Sequence, residues 1–556
     1  MHHSNRARGS LCSYRSRSLS TLNSSLTSQN ESTLPSSDTA ISGSSPPPAT
    51  LPSHGISKKR VLVLGSGMMA ETTIDELCLD TSVEVLLATR NITQGNKFVA
   101  RHNHAHVKQV DCTNAQTVSE LIAQADVVVS LLPSNLVPRI AEQCIASRIS
   151  LVTPSYISQG LRSQDLQAVE RDTLILAEVG FNPGYDHCAA LARFDRLKQE
   201  GKRIHMYMSF CGSLPAPECA NVPFGYKISH SPREMLLDTM AFSRFKLDSK
   251  QRQVWEYELT KRYFPKVDIM EGVSLEAFPN HDAVTYLKKF KWPVIRDMST
   301  MMRGTLRYPG FSDLMQSFKA IGLLNTDTTI NPSSWQDLTR HALQALLGAK
   351  LNNEPVSLRS AFGDVVADDA IDPLMRALAW LEAVPSSVGE RGGPSLPAPP
   401  SGPASPLDHL AQLLSTKLAY GPNDRDMLVL HQEIGASPQN MIAPRIKPKN
   451  KREVSLFIGP ESVVYRRQMV MYGTPGGPSA LAKYTGVSLA TAAKQVVHGK
   501  TTGLTGVVFP ADESVWRPIV ERMEEIGATW TETEIKGKSP IETRLFKELA
   551  SKSILP

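Results

Sequence analysis

The stretch from Arg60 to Asn91 constrains the fold more than any other part of the chain. Val61, Leu62, Val63 and Leu64 form a short apolar run of strand-forming residues that stops at Gly65-Ser66-Gly67-Met68-Met69-Ala70, a G-x-G-x-x-A turn. Ile74, Leu77 and Cys78 then recur at helical spacing, and a second apolar run, Val83 to Ala88, ends in Thr89-Arg90-Asn91. In such a turn the first glycine permits the tight bend and the second lets a pyrophosphate approach bare backbone. The small third position lets helix and strand pack closely at the helix's positive end. The short pattern alone would also suit an ordinary strand-to-helix turn; its place between a strand and a helix, with a second strand at the right distance, points to a dinucleotide site. An NAD reader usually closes the second strand with a carboxylate for the ribose hydroxyls, whereas here stand a hydroxyl, a guanidinium and an amide. Arg90 suits a 2′-phosphate, which favours NADP(H) over NAD(H), although a solvated surface arginine would read the same way.

From Lys58 to about Gly180 strands and helices alternate, which predicts an α/β fold: a doubly wound, Rossmann-type parallel sheet with helices on both faces. Further strands are expected at Val107–Val110, Asp126–Leu132, Leu151–Thr153 and Leu174–Glu178. Ligands in such sheets gather at the carboxyl ends of the strands, so Leu132, Ser155, Tyr156, Phe181, Asn182 and Pro183 share a rim with the glycine turn. Loop chemistry alone would also place Ser, Asn and Pro there, and Asn182-Pro183 could be a helix cap with proline at the first position. After a helix at about Tyr185–Glu200, Ile204, Met206, Met208 and Phe210 alternate with His205, Tyr207 and Ser209, which predicts a strand with one wet face in a second, mixed sheet. Cys211 to Pro232 reads as an irregular run, and residues 310–383 as helices.

The remaining composition sets bounds. The net charge of +6 is concentrated at the amino terminus, where residues 1–60 hold seven Lys/Arg against two acids; the body has no basic field for nucleic acid. Seven scattered cysteines without a C-x-x-C imply a reducing compartment and no metal site. No apolar run approaches the roughly 20 residues of a membrane span. Residues 1–57 are a Ser/Thr/Pro-rich tail that cannot bury enough apolar surface to order itself. Its first 30 residues carry Arg6, Arg8, Arg15 and Arg17 and no acid, which suits a mitochondrial transit peptide and a disordered cytoplasmic extension equally. Val384 to Pro406 holds seven prolines and reads as a loop, and the basic segment Met441–Lys451, without aromatics, as an exposed turn.

From about Arg60 to Thr531 the chain resembles the saccharopine dehydrogenase family. The resemblance rests on VLVLGSG (61–67), SLLP (130–133), PSYIS (154–158), EVGFNPGYDH (178–187), SFCGSLPAPE (209–218), PFGYKISHS (223–231) and RGTLRYPG (303–310), in order, with AYGPNDRDMLVL (419–430) and SALAKYTGV (479–487) further on. Some relatives carry a lysine-ketoglutarate reductase domain in front of this part, where here only the tail stands, which implies a monofunctional chain. The resemblance implies a Rossmann domain of residues 58–188 with about 503–535, and a mixed α/β domain of 189–309 with about 420–502 that binds saccharopine and pairs two copies into a homodimer. A helical subdomain of 310–419 completes the set. It further implies nucleotide contacts at Gly65, Ser66, Gly67 and Met68, at Thr89, Arg90 and Asn91, at Asp111 and Cys112, and at Leu132, Ser155, Tyr156, Phe181, Asn182, Pro183 and Ser231. Substrate contacts are implied at Ser155, Tyr156, His281, Thr305, Leu306 and Arg307.

The implied reaction interconverts saccharopine with L-glutamate and α-aminoadipate 6-semialdehyde. Its substrate carries three carboxylates and a secondary amine, so cations and backbone donors should hold the acids and a proton carrier should reach the nitrogen. Cys211 and Tyr156 are the candidate catalytic residues; Cys211 could equally be a small buried hydrophobe, and Tyr156 could serve only to orient ligand. Two positions depart from the family pattern. Asn182 stands where the family has Asp and cannot exchange a proton in the physiological range. His281 stands where the family has Arg, replacing a permanent two-pronged cation by a ring. A related imine substrate, or a homologue that binds nucleotide without turnover, would be consistent with both.

Overall fold

The computed structural model describes residues 58–290, 298–348, 358–384, 396–439 and 461–551. The expectations for residues 1–57, for 385–395 of the proline-rich loop and for 441–451 fall outside these. The first six strands are β1 (Lys59–Leu64), β2 (Val83–Thr89), β3 (Ala105–Gln109), β4 (Val127–Ser130), β5 (Ser150–Val152) and β6 (Leu174–Leu176). All pair in parallel, in the order β6-β5-β4-β1-β2-β3. Their apolar runs are continuous because helices cover both faces: Val61 to Leu64 and Val127 to Val129 are fully buried. Each such side chain contributes about 1.5–3 kcal/mol relative to exposure. The chain reverses strand order between β1 and β4, and a crevice at the carboxyl end of that junction is where this architecture takes its ligands.

The second sheet is mixed. It contains β7 (Lys202–Pro215), β8 (Ser243–Leu247), β9 (Lys250–Val254), β10 (Glu276–Pro279), β11 (Thr300–Arg307), β12 (Asp426–Pro438) and β13 (Val463–Tyr472). The last two strands are divided between the sheets. β14 (Gly506–Val508) adds a parallel seventh strand to the first sheet beside β6, whereas β15 (Thr531–Lys536) pairs with β13 at the edge of the second. Residues 503–535 therefore do not all return to the first sheet. The reason is electrostatic as well as hydrogen-bonded: Glu532 on β15 meets Arg193 at 2.7 Å and Arg467 at 3.2 Å. Helices Phe311–Ala320, Trp335–Leu347, Leu358–Gly363, Asp368–Trp380 and Pro406–Lys417 form the helical part.

Two expectations about β7 are corrected. The stretch from Ile204 to Phe210 has no wet face, since all seven residues are buried. The helix Tyr185–Gln199 covers the side of Tyr207 and Ser209, with Phe194 edge-on to Tyr207 at 5.3 Å and the Tyr207 hydroxyl donating to the Asp186 carbonyl at 3.4 Å. Cys211 to Pro215 is strand and not irregular, because β11 and β12 flank β7: Cys211 pairs with Thr305 on one side and with Leu430 on the other. Among the described residues no helix is long and apolar enough to cross a membrane.

The glycine-turn helix, Ala70–Leu77, is held by the carboxyl-terminal part of the chain. Thr72 donates to the Ala482 carbonyl at 2.8 Å, and buried Glu76 takes Lys494 at 2.8 Å and Arg522 at 2.9 Å. Gly486 makes the close approach possible, since a Cβ there would run into the side chain of Thr72 and the backbone of Thr73. Gly486→Ala should cost about 1–3 kcal/mol through overpacking, read as a lower denaturant midpoint at unchanged slope. An unaltered midpoint would show that the two helices are not in register there.

Candidate active site

The rim of the first sheet begins at the turn after β1. Gly65 has φ +101°, a conformation that favours glycine, and its amide donates to the Ala88 carbonyl at 2.9 Å. A Cβ on it would press on the Leu131 carbonyl and Leu132 at 3.3 Å, so the ends of β1 and β4 touch. Gly67 is exposed, and a Cβ on it would meet no atom within 4 Å, leaving open space before the bare backbone where a pyrophosphate would lie. Met68 is exposed. The Ser66 and Thr89 hydroxyls share a 2.6 Å hydrogen bond, which ties the turn to the end of β2. Arg90 is exposed there, and its guanidinium enters no hydrogen bond or ion pair among the described residues. Asn91 caps the next helix by accepting from the Gln94 amide at 3.0 Å. Asp111 is exposed and turned onto Thr113, whose amide and hydroxyl hold its carboxylate below the usual range; Cys112 beside it is pushed up by burial. These residues fit a dinucleotide with a phosphorylated ribose.

The second sheet supplies the floor. Side by side on β7 and β11, Ser209 pairs with Arg303 and Cys211 with Thr305, so these four share one face with Arg307. Leu306, by alternation, points to the opposite face, where it lies against Gly212 and is fully buried. Arg307 is buried, with its guanidinium 4.8 Å from the Tyr226 ring centre and 5.2 Å from that of Phe311. From the turn after β10, Asn280 donates to the Thr305 hydroxyl at 2.8 Å and accepts from the Tyr156 hydroxyl at 3.1 Å. His281 follows, its ring centre 4.2 Å from that of Tyr156 and its Nε2 3.2 Å from Asp238. Ser155 lies beside Tyr156, half-buried.

Arg303 joins floor to rim. It is 1% exposed; one nitrogen donates to Asn182 Oδ1 at 2.7 Å and to Asp186 Oδ2 at 3.1 Å, and its carbon sits 5.1 Å and 5.9 Å from the ring centres of Tyr286 and Tyr156. Its Nε and Nη1 are buried without a hydrogen-bond partner among the described residues. Asn182-Pro183 is not a helix cap, because the helix starts at Tyr185 behind Gly184, whose φ is +144°. Phe181 is in the core against Tyr185 and Tyr484, so only its backbone reaches the rim. Two further contacts join the ends of the first sheet to later parts of the chain. Buried Glu178 accepts from the Tyr286 hydroxyl at 2.8 Å and from Lys289 at 3.0 Å, and Ser134 after β4 donates to Glu234 at 2.9 Å. Glu234 sits on the helix Pro232–Asp238, whose exposed cap is Ser231.

Burial dominates the electrostatics. It pushes the Cys211 thiol well up, with Asp186 adding to it and Arg303, Arg307 and Asn182 opposing. It does the same to the Tyr156 hydroxyl, which Arg303 counters in part. Both groups therefore stay protonated through neutral pH and can donate hydrogen bonds, but neither is a base there. Burial also raises the Asp186 carboxyl, with Arg303 as the main opposing charge.

Residues 61–176 match the sequence model of the saccharopine dehydrogenase NADP binding domain, and residues 180–528, more than half the chain, match that of the saccharopine dehydrogenase C-terminal domain. The chain belongs to the saccharopine dehydrogenase family. It is 31% identical over 481 residues to the mitochondrial alpha-aminoadipic semialdehyde synthase of Bos taurus, covering 85% of this chain but 48% of that one. It thus spans about half the length of the mammalian relatives that it matches. It is 28% identical to the NADP(+), L-glutamate-forming saccharopine dehydrogenase of Saccharomyces cerevisiae, covering 84% of this chain and 97% of that one. Among solved structures it is similar to the apo, histidine-tagged saccharopine dehydrogenase (L-Glu forming) of Saccharomyces cerevisiae, with a TM-score of 0.66, 26% identity and coverage of 86% and 100%. The family's fold, a parallel Rossmann-type sheet beside a second, mixed sheet and helices, is the fold of this chain.

The structure thus brings Tyr156, Asn182, Cys211, His281 and Thr305 together around Asn280 and Arg303, with Arg307 on the same face of β11, while Gly65 to Met68, Thr89 to Asn91, Asp111 and Cys112 lie at the carboxyl ends of the first sheet's strands. Sequence reasoning missed Arg303, Asn280, Asp186 and Asp238. The signal for the first was present, since two arginines four apart in the apolar strand MMRGTLR must share a face. Arg303→Met leaves the Asp186 carboxyl buried and unpaired, at a cost of about 3–5 kcal/mol. That carboxyl then binds its proton more tightly folded than unfolded, so the variant loses stability as pH rises above about 3.9 and through the folded value. Urea unfolding at about pH 5 and about pH 8 should show the larger loss at pH 8, and equal losses would contradict the pairing.

Proposed function

We propose that this chain is an NADP(H)-dependent oxidoreductase that interconverts saccharopine with L-glutamate and α-aminoadipate 6-semialdehyde in lysine metabolism. The observation that carries the reading is the match to both family parts in order, from residue 61 to residue 528, across the two walls of one cleft. When bound, the nicotinamide cofactor accepts hydride from the carbon next to the substrate nitrogen, or returns it. Gly65 to Met68 would hold its pyrophosphate, with Arg90 for the 2′-phosphate and Thr89 and Asn91 beside it. Ser155, Tyr156, the Phe181–Pro183 backbone and Ser231 would border it toward the floor. Arg307, Thr305, Asn280 and the free nitrogens of Arg303 are donors for substrate carboxylates, and water excluded by this buried floor strengthens each such contact. Cys211 and Tyr156, held protonated, would orient the substrate as hydrogen-bond donors. The cofactor half is the first sheet and the substrate half the second; pairing of two copies through the second half is part of the same reading.

Purified protein given saccharopine should reduce NADP, read by the absorbance of the reduced cofactor; cofactor binding without turnover would overturn the reading. Arg90→Ala removes a charge-assisted contact worth about 1.5–3 kcal/mol, so affinity for NADP should fall roughly ten- to a hundredfold while affinity for NAD changes little. Equal losses for the two cofactors would exclude Arg90 as the phosphate reader.

A further inference from the structure

A substrate secondary amine is protonated in neutral water and must lose that proton before its carbon–nitrogen bond can be oxidised; the inference below rests on the reading just given. Most polar groups of the cleft cannot take it. Cys211 and Tyr156 are already protonated, Asn182 does not titrate, and Arg303 and Arg307 are permanent cations. His230, near Asp238 and Arg307, is pushed down to about 4 by burial and is a poor acceptor.

His281 is placed differently. Its Nε2 is engaged by Asp238 Oδ1 at 3.2 Å, which fixes the tautomer with the proton on Nε2 and leaves Nδ1 as the acceptor. Nδ1 has no partner among the described residues. The ring leans on Tyr156 at 4.2 Å, and its side chain is 29% exposed, so it touches both the cleft and water. Its backbone is held in the left-handed region, φ +46°, by the Arg244 amide and the Ser243 hydroxyl, which donate to its carbonyl at 3.0 Å and 2.9 Å. Strain of about 1–3 kcal/mol at a non-glycine residue persists only where its surroundings enforce it. The neighbouring charges are accounted for: Asp282 is taken by Arg244, whereas Asp238 also faces His230 and Arg307. Burial works against the Asp238 carboxylate, but the His281 hydrogen bond, with His281, His230 and Arg307 nearby, holds it below its usual range, so it stays charged.

We propose that His281, oriented by Asp238, is the proton carrier of this site. In the oxidative direction a substrate N–H bond breaks, its proton forms a bond to Nδ1, and the nitrogen keeps the electron pair. The ammonium loses its charge, the imidazole gains one beside Asp238, and the proton leaves to water through the exposed edge of the ring. His281 is catalytic in this account and Asp238 is a positioning residue.

Four proteins test it: wild type, His281→Gln, His281→Arg and Asp238→Asn, each first shown to bind NADPH with unchanged affinity. His281→Gln should lower kcat about 100-fold or more at neutral pH and recover as solvent takes over deprotonation at high pH. His281→Arg should lower KM, by supplying a fixed cation, without restoring kcat. Asp238→Asn removes the charge that favours the protonated ring, so the acid limb of the kcat/KM profile should move to lower pH. A His281→Arg enzyme with wild-type kcat would show that the ring only holds a carboxylate, and an unchanged acid limb in His281→Gln would also overturn the proposal. If wild type does not turn over saccharopine, the substrate reading fails, and histidine-labelled magnetic resonance still decides the dyad. The ring signal lost in His281→Gln must titrate in wild type and must do so at lower pH in Asp238→Asn; a midpoint indifferent to Asp238 would refute it.

Discussion

One buried cation holds the functional part of this molecule together. Arg303 projects from the middle of β11 into the turn after β6, where Asp186 neutralises it and Asn182 accepts from it. A guanidinium with almost no exposure is tolerable only with a carboxylate at hydrogen-bond distance, here that of Asp186 at the start of the helix Tyr185–Gln199, just past the turn after β6. The pairing therefore fixes where the second sheet lies against the rim of the first. It also sets the amide of Asn182, because a carbonyl that accepts from Arg303 turns its NH2 group toward Cys211. Were Asp present at position 182, the same guanidinium would face two carboxylates; with Asn it faces one carboxylate and one neutral acceptor.

The first sheet could be read from the chain because its determinants are local. A glycine turn between a strand and a helix, and buried strands written as unbroken apolar runs, need no knowledge of distant residues. The second sheet was harder, for a physical reason. Alternation on β7 looks like a strand with one wet face, and only the helix Tyr185–Gln199, which packs on Tyr207 and Ser209, makes that face dry. Likewise β14 and β15 lie close in sequence but join different sheets, which depends on an ion pair between Glu532 and Arg193, which lies far upstream. Cys211 looked like loop because its two neighbouring strands, β11 and β12, begin far downstream.

The cleft shows the same division. Tyr156, Asn182, Cys211, His281 and Thr305 could be named from motifs, but their relations could not. Asn280 bridges Tyr156 to Thr305, and Asp238 reaches His281 from a helix that begins 49 positions earlier, at Pro232. Burial then changes what the named groups can do. A thiol and a phenol that look like acid–base candidates in a sequence become hydrogen-bond donors here, because burial takes solvation from the charged form of each.

Cofactor and substrate must meet between these two walls for the proposed reaction, and a crystal structure with NADPH and saccharopine both bound tests that most directly. The 2′-phosphate should lie against Arg90 with the pyrophosphate over Gly65 to Met68, and the substrate should lie between Tyr156 and Thr305 with its nitrogen within reach of His281. Nucleotide density away from the glycine turn, or substrate density separated from it by the Arg303–Asn182 contact, would contradict the account.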